Sequence, residues 1–105
     1  RRNATRFESK FALEYSTSND KINQAADIIN EILKSEELIK PEFNIYFSEF
    51  GDSALIITAI YWCNEIEPLK YTKVQNSINL KIKERFDNAG IGFAFPSRTV
   101  YIKNS

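Results

Sequence analysis

Side chains suited to chemistry are few in this 105-residue sequence, and their types exclude more than they suggest. There is no histidine, which removes imidazole acid–base catalysis, His-dependent serine and cysteine triads and most transition-metal sites. Cys63 is the only thiol, so neither an internal disulfide nor a cysteine-based zinc site can form. Its place at the end of an apolar run predicts a buried thiol rather than an activated nucleophile. Gly51-Asp52-Ser53 puts a serine in a turn, but a hydrolase elbow needs Gly-x-Ser-x-Gly between a strand and a helix, and strands flank this turn. Glu36-Glu37 and the Glu65 and Glu67 pair bring carboxylates together, the first at a helix end and the second in a polar loop, where solvation is the expected state rather than a cation site. Three glycines in the whole chain leave no phosphate-binding loop. The expectation is a non-enzymatic chain without catalytic residues, metal ligands or cofactor contacts.

Fourteen basic and fourteen acidic residues cancel, so no overall field draws the chain to nucleic acid or to anionic lipid. The length fits one domain with one core, and 43% hydrophobic and 13% aromatic residues are a globular composition. Asn3-Ala4-Thr5 matches a glycosylation sequon, taken as a chance match because nothing else points to secretion. The longest apolar run, Ala54 to Cys63, falls well short of the roughly 20 residues that a spanning helix needs. Arg1-Arg2 is followed by polar and alternating residues rather than a signal-peptide core, and the expectation is an excised piece of a longer protein.

The elements that hold these residues follow from two periodicities. Phe7, Ser9, Phe11, Leu13 and Tyr15 alternate with charged positions and predict a first strand over 6–15. Ser16 to Asp20 offers capping oxygens, after which Ile22, Ala26, Ile29 and Leu33, broadened by Ala25 and Ile32, predict an amphipathic helix over 19–35. Phe43, Ile45 and Phe47 predict a second strand over 43–48, and Gly51-Asp52-Ser53 turns it into a third over 54–63. The third strand is apolar on both faces, with Leu55, Ile57, Ala59 and Tyr61 on one and Ile56, Ile60 and Trp62 on the other, so something is expected to cover the second face. Pro41 and Pro68 are assigned to loops. Val74, Ile78, Ile82 and Phe86, extended by Tyr71 and Ala89, predict a helix over 70–89 that Gly90 closes in a left-handed conformation, with Ile91 packing back on Phe86. Thr99 to Ile102 predicts a last strand. The order is that of an α+β, ferredoxin-like βαββαβ sandwich, with two helices on one face of an antiparallel sheet. Residues 1–105 form one domain, with the sandwich over 6–96 and a terminal strand and tail over 97–105. RNA-recognition modules share this order, but here the third strand has Tyr61 and Trp62 without the glycine and basic residues of a base-stacking platform.

Read together, Phe11 to Tyr15 before a Ser/Thr/Asp helix start, Phe50-Gly51-Asp52-Ser53 before a strand ending Tyr61-Trp62-Cys63, Asp87-Asn88-Ala89-Gly90-Ile91, and Phe95-Pro96-Ser97-Arg98 resemble the MscS-type small-conductance mechanosensitive channels from about Phe7 to Lys103. Ala94 stands where the family usually has a proline, which implies a less stiff connector. The resemblance implies the cytoplasmic domain of an inner (plasma) membrane channel, a homoheptamer that releases ions and small solutes on hypo-osmotic shock. This domain would wall a vestibule, with membrane contact only through segments outside this chain. Ile56, Ile60 and Trp62 are the expected oligomer contacts on the sheet. In the family the segment after Phe-Pro enters an inter-subunit barrel, which adds Arg98, Val100, Tyr101 and Ile102; the competing reading keeps that strand in the chain's own sheet. Two other readings share the fold: a small-ligand regulatory module, and an acylphosphatase, which needs an arginine in a glycine-rich loop after the first strand where Ser16 to Asp20 has neither.

Overall fold

The computed structural model describes residues 4–94. Five elements follow in the order β1 (Thr5–Leu13), α1 (Asn19–Ser35), β2 (Asn44–Phe50), β3 (Leu55–Cys63) and α2 (Pro68–Ala89). The strands form an antiparallel sheet in the order β1-β3-β2, with β3 central and paired along its whole length to β1, from Thr5 opposite Cys63 to Leu13 opposite Leu55. The predicted terminal strand lies outside the described residues. Gly92 to Ala94 nevertheless docks antiparallel on the far side of β1: the Glu14 N–H donates to the Gly92 carbonyl (3.1 Å) and the Ala94 N–H to the Ala12 carbonyl (2.9 Å). That is the place of a fourth ferredoxin-like strand.

Both helices lie over one face of the sheet. Ile22, Ala25, Ile28, Ile29, Ile32 and Leu33 of α1 and Ile78, Ile82 and Phe86 of α2 join Leu13 and the alternate residues Leu55, Ile57, Ala59, Tyr61 and Cys63 in a single core. The 3.6-residue stripes of the helices and the two-residue alternation of β3 meet there, so each element buries the face its own period makes apolar. Ser18 caps α1 by accepting from the Lys21 N–H (3.2 Å), leaving one fewer unpaired donor at the helix start. At the end of α2 Gly90 takes φ 72° and ψ 28°, and the Ile91 N–H donates to the Phe86 carbonyl (2.9 Å). This is the predicted left-handed closure, and it turns Ile91 into the core beside Phe86. Phe93, just beyond, stacks on Phe86 with ring centroids 5.3 Å apart.

Three boundaries differ from the sequence expectation by two residues, each for a local reason, and the other shifts are of a single residue. β1 ends at Leu13 rather than Tyr15, because Tyr15 swings out to donate its hydroxyl to the Gly51 carbonyl (2.7 Å). β2 runs on to Phe50 because Ser48 is an extra residue in the register: Phe47 faces Ile57 while Glu49 faces Ile56. A bulge of this kind shifts the alternation by one and hides the continuation from a period-two reading. Pro68 is not a loop residue but the first residue of α2, where its missing N–H would have had no helical partner and its fixed φ suits the helix.

Candidate functional site

Alternation along β3 sends Ile56, Thr58, Ile60 and Trp62 to the sheet face opposite the helices. Ile56, Ile60 and Trp62 are half-buried there, while Thr58 is buried. Cross-strand register supplies part of the cover: Arg6 sits opposite Trp62, Glu8 and Asn44 flank Ile60, and Lys10 and Tyr46 flank Thr58. Long charged side chains can lay their aliphatic stems on neighbouring apolar surface, so this face is drier than its lack of a helix layer suggests. The bulge completes it. Thr58 donates to Ser48 Oγ (2.7 Å), and Ser48 in turn donates to the Ile56 carbonyl (3.2 Å). The three sheet positions expected to contact other copies thus share one continuous face, whereas Arg98, Val100, Tyr101 and Ile102 lie outside the described residues.

The helix-covered face has a different chemistry. The Tyr61 hydroxyl is buried but satisfied, donating to Gln75 Oε1 (3.0 Å) with Ser9 Oγ at 3.4 Å. Burial pushes its pKa above 10.0 against those two hydrogen bonds. Cys63 is fully buried, and burial, then the nearby carboxylates of Glu65 and Glu36, raise its thiol above 9.0. A thiol held protonated is a poor nucleophile, which matches the expectation drawn from its position. No group of three His, Cys, Asp or Glu able to hold a metal occurs among the described residues. No helix among the described residues is long and apolar enough to cross a membrane.

Sequence reasoning missed two features. Glu36, read as solvated, ties the helices together: Glu36 Oε2 accepts from Lys81 Nζ (2.7 Å) and Ser77 Oγ (3.3 Å). Only a three-dimensional juxtaposition across 41 and 45 positions reveals this pairing. The other is the contrast between the two edges of the sandwich. On β2, Phe47 and Phe50 stand edge to face at 5.0 Å and are 39% and 74% exposed. Between β1 and α2 lies a groove of about 390 Å³ lined by Ser9, Lys10, Phe11, Gln75, Asn79 and Phe93, with Ile82 at its base.

Comparison with known proteins agrees with this architecture. Residues 7–93 match the family model for the C-terminal region of the mechanosensitive ion channel MscS. The large-conductance mechanosensitive channel MscMJLR of Methanocaldococcus jannaschii is 38% identical over 106 residues, covering 97% of this chain and 29% of that protein. The small-conductance channel MscMJ of the same organism is 37% identical over 91 residues, covering 87% of this chain and 26% of that protein. The chain therefore spans less than a third of these relatives' length. In fold, the closed-state crystal structure of Helicobacter pylori MscS superimposes with a TM-score of 0.76 at 24% identity, over 99% of this chain and 40% of that one. The ferredoxin-like arrangement, the shared stretch from β1 to Phe93 and the identity to these channels together establish that the chain belongs to the MscS mechanosensitive channel family, as its C-terminal domain.

Proposed function

We propose that this chain is the cytoplasmic vestibule and assembly domain of a mechanosensitive channel, one that walls the aqueous space through which ions and small solutes leave on hypo-osmotic shock. The match to the family's C-terminal region across residues 7–93 carries this reading. The domain works by excluding and admitting solutes and by holding copies together, not by catalysis. Its chemistry is in keeping: no histidine in the chain, a protonated buried thiol and a tyrosine whose hydroxyl is taken up by Gln75. Assembly as a homoheptamer, with Ile56, Ile60 and Trp62 on a sheet face free of helices, supplies the cover that a half-apolar face calls for. Residues 97–105, with Arg98, Val100, Tyr101 and Ile102, join the same segment of other copies. Deleting them should loosen the multimer and leave the sandwich folded; a truncated chain that unfolds would put the segment in the core instead.

The test of the function is a chimera in which this chain replaces the matching C-terminal stretch of MscMJ. Reconstituted in liposomes, the chimera should assemble and pass tension-activated current under suction. Failure to assemble or conduct, with MscMJ itself doing both in the same preparation, would contradict the reading.

A further inference from the structure

Each helix of the covering layer lends a lysine to the end of the other. The last carbonyls of a helix have no partner within it and carry partial negative charge, so a cation placed there is stabilising. α2 has no basic residue in its last turn. α1 supplies one across 68 positions, because Lys21 Nζ donates to the Ala89 carbonyl (2.5 Å). α1 has Lys34 in its last turn but puts the Glu36 carboxylate at its C-cap, where a negative charge is misplaced by the same rule. α2 answers with Lys81, whose ammonium lies 2.7 Å from Glu36 Oε2, while Ser77 Oγ donates to the same oxygen (3.3 Å). Between the two ends Arg85 reaches Glu31 (2.9 Å). Charge thus crosses the seam between the helices at three places among the described residues, and only the Glu36 side chain, 15% exposed, is well shielded from solvent.

From this we infer that the helix layer is a clasp that answers to ionic strength, closing in dilute salt and loosening at both ends in concentrated salt. The screening length falls from about 10 Å at 0.1 M salt to about 3 Å at 1 M, and exposed ion pairs and helix-end charges are the interactions that this weakens. The apolar core beneath does not depend on charge, so the sandwich stays folded while the helix ends open more often. Each exposed pair is worth little alone, which makes the response graded rather than all-or-none. Lys21 and Lys81 are positioning residues here, acting on the closures of α2 and α1. The clasp belongs to the chain by itself; only its use rests on the proposed function. Under that reading, water entering on hypo-osmotic shock dilutes the salt around the domain, and the clasp tightens as the channel is called on.

Amide hydrogen exchange of the unmodified chain in about 50 mM and about 500 mM KCl tests it. The Ile91 N–H, bonded to the Phe86 carbonyl, reports the closure of α2, and the Glu36 N–H, bonded to the Leu33 carbonyl, reports that of α1. Relative to the amides of β3, both should exchange roughly twofold to fivefold faster in the concentrated salt. Lys21→Met keeps the stem and removes the charge, so it should abolish the salt response at Ile91 and leave the one at Glu36. Lys81→Met should do the reverse, and Lys21→Arg and Lys81→Arg should retain both responses. Equal acceleration of the β3 amides would mean that salt acts on the whole fold and would overturn the clasp. So would the absence of a response at both ends of the unmodified chain, or responses that survive the two methionine substitutions together. A chimera of MscMJ that fails to conduct leaves these rates untouched, so the clasp and the channel reading fail separately.

Discussion

The two faces of β3 are built from similar residues and meet different fates. Leu55, Ile57, Ala59, Tyr61 and Cys63 are at most 5% exposed beneath the helices, while Ile56, Ile60 and Trp62 on the reverse are only half-buried, dried by cross-strand neighbours and by the Ser48 bulge. Hydrophobicity therefore does not separate the face that the helices cover from the face that they leave open. What separates them is the layer above. The helix-covered face is closed by two amphipathic helices of the same chain, so truncation there must leave a cavity or force collapse. The reverse face has no helix above it, and its cross-strand neighbours Arg6, Glu8 and Lys10 are exposed, so truncation there opens toward solvent rather than into a closed core.

The sharpest way to break this comparison is to remove bulk from the covered side. Phe86→Ala deletes a fully buried ring that packs in the helix–sheet core and stacks on Phe93, and should cost roughly 3–5 kcal/mol, read from the urea midpoint. An unchanged midpoint would remove α2 from the core. Ile57→Ala, at 0% exposure, should cost about 2–5 kcal/mol, whereas Ile60→Ala three positions along on the other face should cost roughly 1 kcal/mol. Equal losses at the two positions would erase the distinction between the faces. Ser18→Ala removes the cap of α1 and should cost about 1 kcal/mol, restored in part by Asp at the same position.

Alkaline pH acts on two groups of the covered face. Cys63 and Tyr61 both have folded pKa values raised above their ordinary 9.0 and 10.0, so the unfolded chain ionises first. Their stabilising contribution is complete below about pH 9 and is lost as pH rises through the folded values. The Tm should fall above pH 9 in the unmodified chain and fall less in Cys63→Ala, once the lower starting stability is subtracted. A Tm flat to pH 11 would mean that neither group is held protonated.

Much of this fold was legible because period and punctuation agreed. The α1 stripe, the α2 stripe, the Ser18 region as a helix start and Gly90 as a stop were each announced by residue types whose local physics has one outcome. The boundaries that slipped did so where a tertiary contact outweighed local pattern: Tyr15 leaves the strand to reach Gly51, and the Ser48 bulge conceals that Glu49 and Phe50 still pair with β3. The tie of Glu36 to Lys81 was invisible for the same reason, since ion pairs between helices depend on a crossing geometry that no spacing encodes. Of the proposed oligomer surface, the sheet positions were recoverable from alternation alone. The contrast between the exposed Phe47–Phe50 pair and the groove beside β1 needed the topology, because it exists only once β1 is placed beside α2 and β2 beside α1.

Trp62 is the chain's only tryptophan and sits on the helix-free face, which makes it a direct reporter of the central claim that this face meets neighbouring copies. Its emission should be compared between the dissociated chain and the assembled MscMJ chimera, with every other tryptophan of the chimera replaced by phenylalanine. A shift to shorter wavelength with loss of iodide quenching on assembly is the predicted result. The same emission maximum and the same quenching in both states would contradict the claim and leave the reverse face of β3 solvent-facing in the channel.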